Sequence, residues 1–131
     1  MMVDFQRIRA LNQQKNDLAW RIIRMEARAT KSTTTITGMP RSGGNGNRME
    51  EIIVEIATVK EAYIQICEEL KTRTAELEKA MGVLKNPMIS VSIRMRYIHG
   101  RKIREICETL NYSDRQVIRF LKQGEREINL Q

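Results

Sequence analysis

Between Met49 and Leu84 the apolar residues Ile52, Ile56, Val59, Tyr63, Ile66, Leu70, Leu77 and Leu84 recur in steps of four, three and seven, with Arg73 as the one polar intrusion. A 3.5-residue repeat held this long predicts a helix that wraps against another helix along its length. Two partners fit. One is the segment 4–29, folded back as an αα-hairpin; the other is the same helix of another copy. Sequence leaves both open. Composition agrees with helices. Aromatic residues are 5% and charged residues 30%, with two prolines and seven glycines, which favours helices over a β-sandwich or barrel.

The N-terminal segment carries Ile8, Leu11, Leu18, Ile22 and Met25 on one stripe, interrupted by Lys15. That spacing predicts an amphipathic helix over 4–29. Arg7, Arg9, Arg21, Arg24 and Arg28 flank it as a solvated face, and Trp20 lies off the seam. Lys15 and Arg73, both at seam positions, are candidates for fixing register at a cost in stability. "TKSTTTITGMPRSGGNGN" then breaks the pattern, and a Thr/Gly-rich linker is expected over 30–48. Its "GGNGN" lacks the Lys-Ser/Thr of a phosphate loop and follows no strand, which excludes nucleotide binding by that route. At 82–87, "GVLKNP" ends the long helix: Gly82 can terminate it, and Asn86-Pro87 reads as an N-cap with proline at the first helical position. Four segments result: an N-terminal helix (1–29), the linker (30–48), a long central helix (49–84) and a C-terminal unit (85–131).

Net charge is +7 and is uneven. Residues 1–50 hold nine Lys/Arg against four Asp/Glu and residues 83–131 ten against five, while 51–82 hold four against seven. A basic chain with pI near 9.8 points to a polyanionic partner. Cys67 and Cys107 stand about forty residues apart with a single histidine, His99, so no metal site is expected. Both cysteines read as small buried residues of a reduced cytoplasmic protein. No apolar run reaches the roughly 20 residues of a membrane span, and no catalytic constellation is present, so neither membrane partner, cofactor nor enzymatic activity is expected. His99, beside Gly100 and basic residues, reads as a phosphate contact or a solvent-exposed loop residue.

The C-terminal unit predicts three short helices. The first buries Ile89, Ile93 and Tyr97 and stops near His99-Gly100; the second starts near Arg101 or Lys102 and buries Ile103, Ile106 and Leu110. Cys107 supplies the small residue where two helices come closest. Asn111 takes the corner, where a left-handed conformation is needed. Ser113 and Gln116 form a capping box that starts the third helix, anchored by Val117 and Phe120/Leu121. This is the pattern of a helix-turn-helix unit, whose second helix enters the major groove. Ser113, Asp114, Arg115, Gln116, Ile118, Arg119 and Lys122 are the candidate base-contacting residues. Arg bonds guanine O6/N7, Gln pairs with adenine, and a carboxylate accepts from cytosine N4. Ile118 suits either a thymine methyl or neighbouring protein. Arg96, Arg101, Lys102 and Arg104 are candidate phosphate contacts. A basic three-helix module that binds protein is the plainer alternative.

"IRMRYIHGRKIREICETLNYSDRQVIRFLKQGEREI" (93–128) resembles the region 4 helix-turn-helix of bacterial sigma factors, through Met95-Arg96-Tyr97 and then Arg104-Glu105-Ile106. Asn111 replaces the usual glycine and Cys107 the usual alanine. The whole arrangement, with "TGMPRSGG" at 37–44, is similar to the RinA and ArpU type of small phage and prophage transcriptional regulators. The resemblance implies an all-α protein of long helices, as hairpin or coiled coil, followed by a C-terminal helix-turn-helix. It implies a cytoplasmic regulator of phage gene expression in a bacterial host. As a reader of double-stranded DNA the chain is expected to use its long helices for a homodimer contact or a contact with RNA polymerase, because a single module buries little surface on DNA. A small-terminase-like DNA-packaging protein, assembled as a ring, is the competing expectation.

Overall fold

A computed structural model describes residues 2–34 and 44–130, with backbone only for 32–34 and 44–47. The described chain is all helical: α1 Phe5–Thr34, α2 Gly44–Ala80 with a tight 3₁₀ turn at Met81–Val83, α3 Pro87–Ile93 running into a π turn at Arg94–Ile98, α4 Ile103–Leu110 and α5 Asp114–Asn129. Helix therefore enters the expected linker from both sides. Within the continued α1 the Thr30 hydroxyl donates to the Glu26 carbonyl one turn back (2.9 Å), which satisfies the side chain inside the helix. Residues 35–43, most of the 37–44 segment, lie outside the described residues.

Two compact units divide the chain, Met1–Gln13 with Glu69–Gln131, and Gln14–Glu68. The first unit differs from the boundary expected near residue 85, since it takes in the first turns of α1 and the end of α2. Its core joins Leu77 and Met81 to Ile89, Ile93, Tyr97, Ile106, Val117, Leu121 and Ile128, all buried. Val3, Phe5, Ile8 and Leu11 are buried with them. Phe5 tilts onto the Tyr97 ring at 4.8 Å. The Val3 N–H donates to Asn129 Oδ1 (2.9 Å) and Asn129 Nδ2 donates back to the Val3 carbonyl (3.3 Å). Arg73, the polar intrusion in the long seam, lies 3.7 Å from Glu69, which also receives Arg7 at 2.8 Å.

In the second unit, α1 meets α2 through the Glu26–Lys60 ion pair at 2.8 Å. Only Met25 and Val59 are fully buried among its described residues.

The close crossing of α3 and α5 depends on Gly124. A Cβ built there would stand 2.7 Å from Ile93 Cγ1 and 2.9 Å from Ile89 Cγ2, both inside the core. Gly124→Ala gains up to about 1 kcal/mol of helix propensity. Overpacking costs typically 1–3 kcal/mol, so a net loss of about 1 kcal/mol is expected in chemical denaturation, with Gly124→Val worse.

Candidate nucleic-acid interface

Local chemistry builds α5, the candidate reading helix. Asn86 Oδ1 accepts from the Met88 N–H (2.9 Å) with Pro87 behind it, so α3 starts as its sequence predicts. Asn111 adopts φ 59°, ψ 41°, the left-handed conformation that lets α4 end and the chain turn. Ser113 Oγ accepts from the Gln116 N–H (3.2 Å) and fixes the first turn of α5. Tyr112 closes the corner edge-on against Phe120 at 5.3 Å. Val117, Leu121, Gly124 and Ile128 face inward at steps of four, three and four. With that stripe buried, the opposite face is fixed in space.

That face carries Arg115, Ile118, Arg119 and Lys122, all exposed and spaced three, four and seven from Arg115. Such spacing puts them on one side of the helix. None of the three cations forms an ion pair among the described residues, and neither does Lys102. Unpaired surface cations leave their charge to an incoming anion. Ser113 is exposed with its oxygen engaged in the cap, and Gln116 is half-buried.

Two predicted contacts have structural work. Asp114 Oδ1 accepts from the Cys107 thiol at 3.0 Å, tying the start of α5 to the end of α4. Burial, and next the Asp114 carboxylate, push the Cys107 thiol up to about 11, so it stays protonated and donates. Arg96 is half-buried and its Nη1 donates to the Arg101 carbonyl (3.0 Å), clamping the loop between α3 and α4. Burial, with Arg9 adding to it, lowers the Arg96 pKa, but the guanidinium remains charged at neutral pH. Its clamp points it toward the loop carbonyl. Arg101 and Arg104 are exposed at the edge, each leaning on a carboxylate one turn on, Glu105 at 3.2 Å and Glu108 at 3.7 Å.

The feature that the sequence did not announce is the support beneath this surface. The π turn at Arg94–Ile98 reroutes the backbone, with the His99 N–H donating to Arg94 O and the Arg101 N–H to Met95 O. The Tyr97 carbonyl is then taken by Asn12 Nδ2 at 3.0 Å, and Gly100, at φ 65°, passes close to that same Asn12 side chain. Tyr97 donates its hydroxyl to Glu125 on α5. Burial raises the Glu125 pKa above the usual carboxylate range, against the opposing pull of Arg9 and Arg96. The proton is therefore bound more tightly in the folded chain, and stability falls as pH rises from the ordinary carboxylate pKa through the raised one. Glu125→Gln keeps an acceptor for Tyr97 and should abolish that fall in a melting-temperature series against pH.

A family model described as "Protein of unknown function (DUF1492)" matches residues 29–129. The chain belongs to that family. DUF1492 as matched here takes in all of α2 to α5 and only the last turns of α1. No curated protein and no solved structure matches the chain. Among the described residues, no helix is long and apolar enough to cross a membrane.

Proposed function

We propose that the chain is a sequence-specific DNA-binding transcriptional regulator that reads a duplex with the exposed face of α5. The observation that carries the reading is the single stripe of Arg115, Ile118, Arg119 and Lys122, rigidly backed and with its cations unpaired. Arg115 and Arg119 would bond guanine edges, Gln116 an adenine, and Ile118 a thymine methyl. Ser113 and Asp114 sit at the groove edge of the same turn. Lys102, Arg101 and Arg104 would set the module on the phosphates, while Arg96 acts by holding the loop that presents them. The similarity to RinA and ArpU regulators supports a role in phage gene expression in a bacterial cytoplasm, with RNA polymerase as a second partner.

Fluorescence anisotropy on labelled duplexes tests the division of labour. Lys102→Ala should weaken binding to every duplex alike and lower the slope of log K against log salt by about 0.9, the loss of one phosphate contact. A Lys102→Ala effect confined to one sequence would contradict its assignment as a backbone contact.

A further inference from the structure

Arg7 and Arg9 stand two residues apart in the first turns of α1, about 200° apart round the helix, and only one of them is neutralised. Arg7 is half-buried and its guanidinium closes on the Glu69 carboxylate at 2.8 Å. Arg9 is exposed and forms no ion pair among the described residues. Its place is nevertheless fixed, because α1 holds Tyr97 on either side of it. Phe5, four residues earlier, tilts onto the Tyr97 ring at 4.8 Å. Asn12, three residues later, donates to the Tyr97 carbonyl at 3.0 Å. Residues 5, 9 and 12 share one side of a helix, so Arg9 stands between these two contacts, beside the π turn. The charges agree. Burial, and after it Arg9, lowers the Arg96 pKa, while Arg9 and Arg96 both oppose the rise that burial gives Glu125.

The Arg9 guanidinium therefore lies near Arg96 and Glu125. Glu125 is half-buried and already accepts the Tyr97 hydroxyl, so a partly shielded carboxylate faces two cations. Of those cations, Arg96 is spent on the Arg101 carbonyl at 3.0 Å, whereas Arg9 is free to meet an anion from solvent. We infer that Arg9 is a phosphate contact, and that the first turns of α1 belong to the DNA-binding surface as well as to the core. Continuity with the basic edge selects the partner. The same α1 turn that carries Arg9 touches Gly100 through Asn12, and Arg101 and Lys102 come next on that loop. Arg9 thus takes the role that sequence alone gives to Arg96. A contact from α1 and another from the start of α4 would fix the orientation of the unit on the duplex, since phosphate contacts position without reading sequence.

The inference rests on the reading of this unit as a duplex binder but not on its sequence preference, so a mixed-sequence duplex serves as the probe. Fluorescence anisotropy is followed across a salt series, at a temperature where circular dichroism shows every chain folded. Arg9→Ala should weaken binding and lower the slope of log K against log salt by about 0.9. The wild-type advantage should then shrink about threefold between roughly 50 and 200 mM salt. Arg9→Lys should restore the slope, because a lysine meets phosphate as a point charge. Arg9→Ala with Lys102→Ala should lose about twice the slope of either alone, as two separate phosphates require. A loss of less than about half the expected slope in Arg9→Ala overturns the inference, and a full loss in Lys102→Ala alongside it leaves the duplex-binding reading standing. Failure of Arg9→Lys to restore the slope, or a double variant no worse than the singles, overturns it too. A wild-type chain without affinity for any duplex overturns both.

Discussion

A chain that begins at residue 14 is expected to lose the cooperative melting of its helix-turn-helix unit, although every residue of α3, α4 and α5 is still present. Val3, Phe5, Ile8 and Leu11 are all buried in the full chain. Four such side chains at about 1.5–3 kcal/mol each amount to roughly 6–12 kcal/mol, the size of a whole domain's stability. The deletion also strips the Tyr97 carbonyl of Asn12 and breaks the reciprocal Val3–Asn129 pair, leaving buried polar groups unmet. Leu11→Ala gives the graded version, a loss of about 2–5 kcal/mol, or upward of roughly 10 °C in melting temperature for a unit of this size. Differential scanning calorimetry separates the outcomes. A chain 14–131 that melts as cooperatively as the full chain would show that the N-terminal turns are only attached to the unit.

The second large effect concerns specificity. Arg115→Ala with Arg119→Ala should leave folding untouched, because both side chains are exposed and without ion pairs. A good bidentate arginine–guanine contact discriminates by about 1–3 kcal/mol, so losing two should reduce the preference for the target over random duplex by roughly 30-fold or more. Residual binding should remain and keep its steep salt dependence if, as proposed, Lys102, Arg101 and Arg104 meet phosphates. Competition binding against random duplex measures the ratio directly. Equal losses on both duplexes would mean that α5 supplies charge alone.

What was legible in the sequence is what is decided within a few residues. Asn86-Pro87, Asn111 and Ser113 each satisfy or redirect the backbone beside them, so their roles follow from residue type and spacing. The same holds for the stripe Val117, Leu121 and Ile128, which fixed by difference the exposed positions of α5. The domain boundary was not legible, because the first turns of α1 reach the C-terminal helices across more than a hundred residues, as Val3 and Asn129 do, and no local pattern announces such a contact. Arg96 looked like a phosphate contact for the same reason. Its charge is visible in the sequence, but the π turn that brings it to the Arg101 carbonyl is not. The bond that Asp114 accepts was not legible either, because the Cys107 thiol beneath it is brought there by the packing of α4 on α5. The linker was drawn too long at both ends: α1 runs on to Thr34, with the Thr30 hydroxyl satisfied by the Glu26 carbonyl, and α2 starts at Gly44, in segments whose threonine, glycine and asparagine propensities disfavour helix.

The central claim is that the outward face of residues 113–122 distinguishes one duplex sequence from another. Repeated selection from a pool of random duplexes, carried through with the wild-type chain and with Arg115→Ala/Arg119→Ala in parallel, tests it most directly. The account predicts convergence on guanine-containing sites for the wild type and none for the variant. A pool that stays random with the wild-type chain, or that converges on the same sites with both proteins, would contradict it.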